Sequence, residues 1–118
     1  MILVDDDPAV RRALVRLLRA AGHHVEAHAS AEDYLARAPV APPACLVLDM
    51  RMPGQGGLDL QRAIMGTPRS LPTIFITGHG TADDRRQALA LGAIDVLNKP
   101  LDESVLLAAI ARALASRS

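Results

Sequence analysis

Short apolar runs alternate with longer amphipathic segments along the chain. The runs are four or five residues long, which is the usual length of a β-strand. They lie at residues 2–5, 25–28, 45–49, 73–77 and 94–98. Between them, apolar residues recur at the three- and four-residue spacing of a helix that buries one face. The pattern therefore predicts five strands, each followed by a helix.

Three of these strands, at residues 2–5, 45–49 and 73–77, are apolar almost throughout. A strand that is apolar without alternation is covered on both faces, as in a parallel sheet packed between two layers of helices. Parallel strands also need a crossover connection, which the intervening helices provide. Strict alternation of the two kinds of element therefore predicts a three-layer α/β open sheet with right-handed crossovers.

The helix boundaries are marked most clearly around the first helix. Asp7 followed by Pro8 is typical of an N-cap with proline in the first turn, and Gly22 is expected to end that helix. Leucine and valine residues between these markers fall on one stripe, with arginines off it. Weaker helical patterns follow Ser30, Gly57 and Thr81, and the last helix has its apolar stripe at Leu106, Ala109, Ile110, Ala113 and Leu114.

The amino-acid composition limits the classes of protein to which this chain can belong. We expect residues 1–118 to form one domain with an aliphatic core, because Tyr34 and Phe75 are the chain's two aromatic residues. Thirteen basic and thirteen acidic residues give no net charge, which disfavours a uniformly basic nucleic-acid-binding protein. A single cysteine, Cys45, excludes an internal disulfide and favours the cytoplasm. No apolar stretch has the length of a membrane span, and the proline-rich segment 38–44 is predicted to connect two elements.

Polar residues whose side chains could bind a ligand or take part in a reaction lie where the predicted strands end. Asp5 and Asp6 close the first strand, Asp49 the third and Thr77 the fourth, and Lys99 follows the fifth. The carboxyl ends of parallel strands meet at one edge of an open sheet, where ligands bind. Any one of these residues alone is an ordinary solvated loop residue. Their joint placement predicts a shared site.

Three carboxylates at one edge repel each other, and their crowding needs an explanation. A hard divalent cation, Mg²⁺ or Mn²⁺, would neutralise Asp5, Asp6 and Asp49. Asp49 ends a buried run, so its carboxylate has a rigid support and is suited to attack phosphorus as a nucleophile. The metal, the Lys99 ammonium and the Thr77 hydroxyl would then offset the charge of the transferred group.

Four segments together resemble the receiver domains of two-component response regulators: "VDDDPAVRRAL", "LVLDMRMPGQGGLDL", "IFITGHG" and "ALGAIDVLNKP". The wording "TGHG" and "SAEDYL" is most similar to the FixJ-like branch, whose receivers precede a LuxR-type helix-turn-helix DNA-binding domain. The resemblance implies a flavodoxin-like (βα)5 fold with strand order 2-1-3-4-5. The chain is then one receiver domain, either complete or cut from a longer regulator with a C-terminal DNA-binding domain.

The resemblance also implies a role for each acidic residue. Asp49 would be the phosphoacceptor. Asp6 would bind the metal directly and Asp5 would hold it through water, while Arg51 would lend its backbone carbonyl. The expected cofactor is Mg²⁺ or Mn²⁺.

On the remaining strands, the resemblance makes Thr77 the switch hydroxyl and Lys99 the phosphate-binding cation, with a cis peptide bond before Pro100. Two positions depart from the family pattern. Many receivers have Tyr or Phe three residues before the lysine, where this chain has Val96, and Phe after the "KP" pair, where it has Leu101. Phosphorylation chemistry needs neither ring. An aromatic switch, however, cannot operate through Val96.

The function implied by the resemblance is a phosphorylation-driven switch rather than a conventional enzyme. A sensor histidine kinase would phosphorylate Asp49, and the domain would catalyse at most its own phosphorylation from small donors and its dephosphorylation. The modified form is expected to pair with a second copy through the face of the fourth helix, fifth strand and fifth helix. Contact with DNA would come only through an attached output domain, and no membrane contact is expected.

Two alternatives stay open on the residues alone. A haloacid-dehalogenase-type phosphatase also combines a nucleophilic Asp with Thr, Lys, acidic residues and Mg²⁺. That family needs a second Asp two positions after the nucleophile, where this chain has Arg51, and its acidic pair follows the lysine instead of opening the chain. The other alternative is a pseudo-receiver that binds partners without phosphorylation, which the filled chemical positions disfavour.

Overall fold

The computed structural model describes residues 1–39, 44–52 and 54–116, so most of the proline-rich connection at 38–44 lies outside the described residues. Five strands and five helices alternate along the chain, as predicted. The strands are β1 (Ile2–Val4), β2 (Glu26–His28), β3 (Leu46–Asp49), β4 (Thr73–Thr77) and β5 (Asp95–Asn98). The helices are α1 (Pro8–Ala20), α2 (Ala31–Leu35), α3 (Gly57–Ile64), α4 (Ala82–Ala90) and α5 (Glu103–Ala115).

The strands form one parallel sheet in the order β2-β1-β3-β4-β5, which confirms the predicted fold class. The register places Asp49 beside Ile76 of β4, and Thr77 beside Asn98 of β5. The polar ends of three neighbouring strands therefore meet at one edge of the sheet.

The core is divided by the sheet into two apolar clusters. Every residue of β1, β3 and β4 is buried. Successive side chains of a strand point to opposite faces, so Leu46 and Leu48 pack into one cluster with Leu60 and Ile64 of α3. Val47 packs into the other cluster with helices α1 and α5. This two-sided burial explains why the three central strands are apolar throughout.

Local signals fix the ends of α1. The Asp7 carboxylate accepts hydrogen bonds from the backbone amides of Ala9 (2.9 Å) and Val10 (3.3 Å), so the predicted N-cap is confirmed. After the helix, Gly22 has a φ of 92°, a left-handed conformation that glycine adopts without strain. The first strand ends at Val4, one residue earlier than the apolar run suggested, which leaves Asp5 in the connecting loop.

Candidate functional site at the carboxyl edge of the sheet

Three aspartates converge beyond β1 and β3. One carboxylate oxygen from each of Asp5, Asp6 and Asp49 lies within 4.8 Å of the other two. Asp5 and Asp49 are buried, whereas Asp6 is exposed. The structure therefore brings together the three side chains that the sequence predicted as metal ligands.

Asp5 is the most enclosed member of this cluster, with no exposed surface. Its Oδ1 accepts a hydrogen bond from the Asp7 backbone amide at 2.9 Å. Its Oδ2 is buried and has no hydrogen-bond donor among the described residues; the Lys99 Nζ atom is 3.7 Å away. Burial raises the pKa of Asp5, because removing a carboxylate from water penalises its charged form. A buried oxygen without a donor is costly unless a cation contacts it.

Asp49 ends β3 with 6% of its surface exposed. Its Oδ1 accepts a hydrogen bond from the Arg51 backbone amide at 3.3 Å, and its Oδ2 lies 4.0 Å from the Lys99 Nζ atom. Burial, together with the negative charge of Asp5, raises the pKa of Asp49 from 3.8 to about 7, although Lys99 opposes the rise. The protein's own groups therefore leave this carboxylate short of positive charge.

Lys99 is the chain's single lysine, and its ammonium group serves two carboxylates at once. Its backbone amide donates a 2.8 Å hydrogen bond to the Thr77 carbonyl, which fixes the start of the loop after β5. The Lys99–Pro100 bond is cis, as the family resemblance implied. One ammonium among three aspartates leaves a net negative charge at this edge of the sheet.

Thr77 is the last residue of β4 and is 1% exposed. Its hydroxyl oxygen accepts a 3.3 Å hydrogen bond from the His79 backbone amide. Gly80 packs directly against this side chain, since a Cβ atom at position 80 would lie 2.5 Å from the Thr77 methyl carbon. The missing side chain of Gly80 therefore makes room for Thr77, a contact that the sequence did not reveal.

A second glycine was also missed. Gly57 is the first residue of α3, and a Cβ atom there would lie 2.4 Å from the backbone carbonyl oxygen of Asp49. The start of α3 therefore closes over the end of β3 with no space for a side chain. The "GG" pair in the sequence is a sign that glycine is needed here, but it does not identify Asp49 as the neighbour.

The Arg51 side chain turns away from the aspartates to α4. Its guanidinium lies 2.6 Å from the Asp84 carboxylate, which also accepts a hydrogen bond from the Thr81 backbone amide. The Thr81 amide and the Arg51 guanidinium hold the pKa of Asp84 below its usual range. Sequence reasoning missed this contact because it joins segments 33 residues apart. The predicted role of the Arg51 carbonyl as a metal ligand stays a prediction.

The donor set fits a hard divalent cation. It consists of carboxylate oxygens, which Mg²⁺ and Mn²⁺ prefer, and one of those oxygens, Oδ2 of Asp5, is buried without a donor among the described residues. The three carboxylates lie within 4.8 Å of one another, and the single positive charge of Lys99 is too small to neutralise them. Residues of this kind, in this arrangement, fit the cofactor that the sequence predicted.

A parallel sheet of this strand order, with aspartates, a threonine and a lysine at its carboxyl edge, defines a receiver-type α/β domain. Residues 1–111 match the family model described as the response regulator receiver domain. The chain belongs to this family, which confirms the receiver interpretation and disfavours the phosphatase alternative.

Several curated proteins and solved structures are similar to the chain. It is 40% identical over 111 residues to the transcriptional regulatory protein FixJ of Rhizobium meliloti (strain 1021), covering 94% of this chain and 54% of FixJ. It is 42% identical over 112 residues to the response regulator protein TodT of Pseudomonas putida, covering 95% of this chain and 49% of TodT. The crystal structure of FixJ-N matches with a TM-score of 0.89 and 38% identity, over 99% of this chain and 94% of that one. The chain thus spans about half the length of these curated relatives.

In the part of the chain that the structure describes, none of the helices combines the length and the apolar character that crossing a bilayer requires.

Proposed function

We propose that Asp49 accepts a phosphoryl group from a sensor histidine kinase and that Thr77 and Lys99 convert this event into a change of shape. The observation that carries the proposal is the geometry around Asp49. A nearly buried carboxylate ends a rigid strand, with two further aspartates within 4.8 Å and one ammonium at 4.0 Å.

The chain's own residues have separate tasks in this reaction. An electron pair on an Asp49 carboxylate oxygen forms the new bond to phosphorus, and the phosphorus–nitrogen bond of the phosphohistidine donor breaks, with its pair leaving on the imidazole. The Lys99 ammonium lies 3.7 Å from the Asp5 carboxylate and 4.0 Å from that of Asp49. From this position it would stabilise the negative charge on the phosphoryl oxygens. The Arg51 backbone amide, which already faces Asp49, orients the nucleophilic carboxylate.

Asp5, Asp6 and Asp49, together with the Arg51 carbonyl, would hold the divalent cation. When bound, Mg²⁺ or Mn²⁺ supplies positive charge that offsets the charge of the aspartates and of the phosphoryl group. Asp5 contributes the buried oxygen that has no donor among the described residues.

The switch begins at Thr77. Its hydroxyl now accepts from the His79 amide, so its proton is available to donate to a phosphoryl oxygen on Asp49. A phosphoryl group carries about two negative charges, and it draws this hydroxyl and the following loop, residues 78–82, towards Asp49. The resulting change in the face of α4, β5 and α5 favours pairing with a second copy of the domain.

The output belongs to the whole regulator. FixJ is named a transcriptional regulatory protein, and this chain covers 54% of it. We propose that the domain likewise controls transcription through an attached DNA-binding domain and does not itself contact DNA or a membrane. A cytoplasmic location stays a prediction of the sequence.

The mass of the intact protein tests the phosphoacceptor role. Treatment with a small acyl phosphate and Mg²⁺ is expected to add one phosphoryl group to the parent and to Asp33→Asn, which changes an exposed aspartate on α2. Asp49→Asn is expected to stay unmodified. An unmodified parent would support a pseudo-receiver that works by binding alone, and equal labelling of Asp49→Asn would show that another residue is the acceptor.

A further inference from the structure

Helix α4 is held on the sheet mainly by polar contacts. Ala88 is the one buried residue of this helix, whereas α5 buries Leu106, Ala109, Ile110 and Ala113. A helix with so small an apolar face has little burial energy to lose when it shifts. Its side chains instead form ion pairs and hydrogen bonds that join Arg51 to Asp84, Arg62 to Gln87, and Arg85 to both Asp95 and Val96.

A cavity of about 130 Å³ separates the start of α4 from the end of β5. Thr77, Gly80, Arg85 and Val96 are among the residues that line it. Val96 stands at the position where many receivers have an aromatic ring, and valine is too small to fill that volume. The cavity therefore lies next to the switch hydroxyl with no ring to occupy it.

Arg85 connects this cavity to both neighbouring elements. Its Nη1 donates a 2.9 Å hydrogen bond to the Val96 carbonyl, and its Nη2 lies 3.4 Å from Oδ1 of Asp95. The other oxygen of Asp95 accepts a 3.0 Å bond from Arg112 of α5. Partial burial acts to raise the pKa of Asp95, but the Val96 amide and the two arginines hold it below its usual range. One side chain of α4 thus spans β5 and, through Asp95, reaches α5.

The contact between Gly80 and Thr77 links this network to the switch. A Cβ atom on Gly80 would overlap the Thr77 methyl group, so the backbone at 80 rests directly on that side chain. When Thr77 turns towards Asp49, the support is removed and the first turn of α4 can move into the cavity. Arg85 follows, because it lies in that turn.

We propose that Arg85 carries the state of Thr77 to the face formed by α4, β5 and α5, in place of an aromatic ring on β5. The inference rests on the proposed function and specifies how the same site is read out. Movement of α4 withdraws the Arg85 guanidinium from the Val96 carbonyl and from Asp95. Oδ1 of Asp95, beside the Arg112 side chain, is then free to bind a second copy of the domain.

Arg85→Gln tests this relay, with Arg86→Gln as the matched control. Arg86 is the next residue on α4, and among the described residues its side chain pairs with Asp83 on the same helix, at 3.1 Å. Each variant is treated with acyl phosphate and Mg²⁺, the phosphorylated fraction is read from the intact mass, and amide chemical shifts of α5 are recorded before and after. The shifts are compared within each variant, phosphorylated against unphosphorylated, so a direct effect of the substitution on α5 is subtracted.

Arg85→Gln is expected to reach the parent's phosphorylated fraction while the phosphorylation-induced shifts in α5 fall to less than half of the parent's. Arg86→Gln is expected to match the parent in both measurements. Parent-sized shifts in Arg85→Gln would overturn the relay while leaving the phosphoacceptor role intact. If the parent takes up no phosphoryl group, the proposed function fails and the relay falls with it.

Arg85→Lys decides the question if the glutamine variant does not fold. Lysine keeps the charge but cannot span the Val96 carbonyl and the Asp95 carboxylate as the guanidinium fork does. The phosphorylation-induced shifts of the α5 amides in this variant are expected to be smaller than those of the parent but not absent. Shifts equal to the parent's would overturn the role of Arg85.

Discussion

Replacing Asp49 with asparagine is expected to stabilise the metal-free protein at alkaline pH, although it removes the proposed phosphoacceptor. The carboxylate of Asp49 is nearly buried and lies close to the buried carboxylate of Asp5. Asparagine has almost the same size and carries no charge. The substitution therefore removes a like-charge repulsion and a desolvation cost while keeping the packing of β3.

The size of the gain in the free energy of unfolding follows from the pKa of Asp49, which rises from 3.8 to about 7 on folding. A carboxylate with a raised pKa binds its proton more tightly in the folded state, so stability is lost as pH rises from about 4 to 7. Converted at about 1.4 kcal/mol per pH unit, the ionised form costs on the order of 4 kcal/mol above pH 7. Because Asp49 shares this cost with Asp5, we expect Asp49→Asn to recover about 2–4 kcal/mol at pH 8. At pH 4 both proteins carry a neutral side chain here, and the difference is expected to shrink below about 1 kcal/mol.

Urea unfolding followed by circular dichroism, in a chelator at pH 4 and pH 8, measures the difference. Asp33→Asn is the control, because it removes an exposed carboxylate from the first turn of α2. Losing that favourable interaction with the helix dipole is expected to lower stability by up to about 1 kcal/mol. If Asp49→Asn is no more stable than the parent at pH 8, or if its advantage is the same at both pH values, the ionised Asp49 carboxylate does not destabilise the fold.

Three further predictions concern the residues around Asp49. Gly57→Ala is expected to lower the free energy of unfolding by about 1–3 kcal/mol, because its Cβ atom would meet the Asp49 carbonyl at 2.4 Å. Gly78→Ala, whose Cβ atom meets nothing within 4 Å, should stay within about 0.5 kcal/mol in the same urea assay, and equal losses would contradict the packing argument. Millimolar Mg²⁺ is expected to raise the Tm of the parent but not that of Asp5→Asn, and a preserved increment in thermal melting would argue against Asp5 as part of the metal site. Lys99→Met is expected to raise the pKa of Asp49 above its present value of about 7, since Lys99 now lowers it; an unchanged carboxyl-carbon NMR titration would show that the ammonium does not act on Asp49.

The convergence of Asp5, Asp6 and Asp49 was predictable from the sequence because it follows from topology. Apolar runs identify the central strands, and parallel strands end at the same edge of a sheet, so residues at those ends must be neighbours. The order of the strands could not be predicted in this way, because alternation of strand and helix allows several orders. The order 2-1-3-4-5 came from the family resemblance, and the structure confirmed it.

Contacts that depend on how helices lie on the sheet were not predictable. The "DDRRQ" segment reads as a solvated helix face, yet Asp84 binds Arg51, and Arg85 crosses to β5. Both contacts depend on where α4 sits, and that position depends on a few polar bonds rather than on an apolar stripe with a readable period. The close approach of Gly57 to Asp49 likewise depends on backbone geometry and not on a side-chain pattern.

The role of Asp49 as phosphoacceptor is tested by the mass of the parent and of Asp49→Asn after identical treatment with acyl phosphate and Mg²⁺. The parent is expected to gain one phosphoryl group, which hydroxylamine should remove as it does from an acyl phosphate, and Asp49→Asn is expected to gain none. A parent that keeps its original mass, or an Asp49→Asn protein that is labelled as fully, would contradict this role.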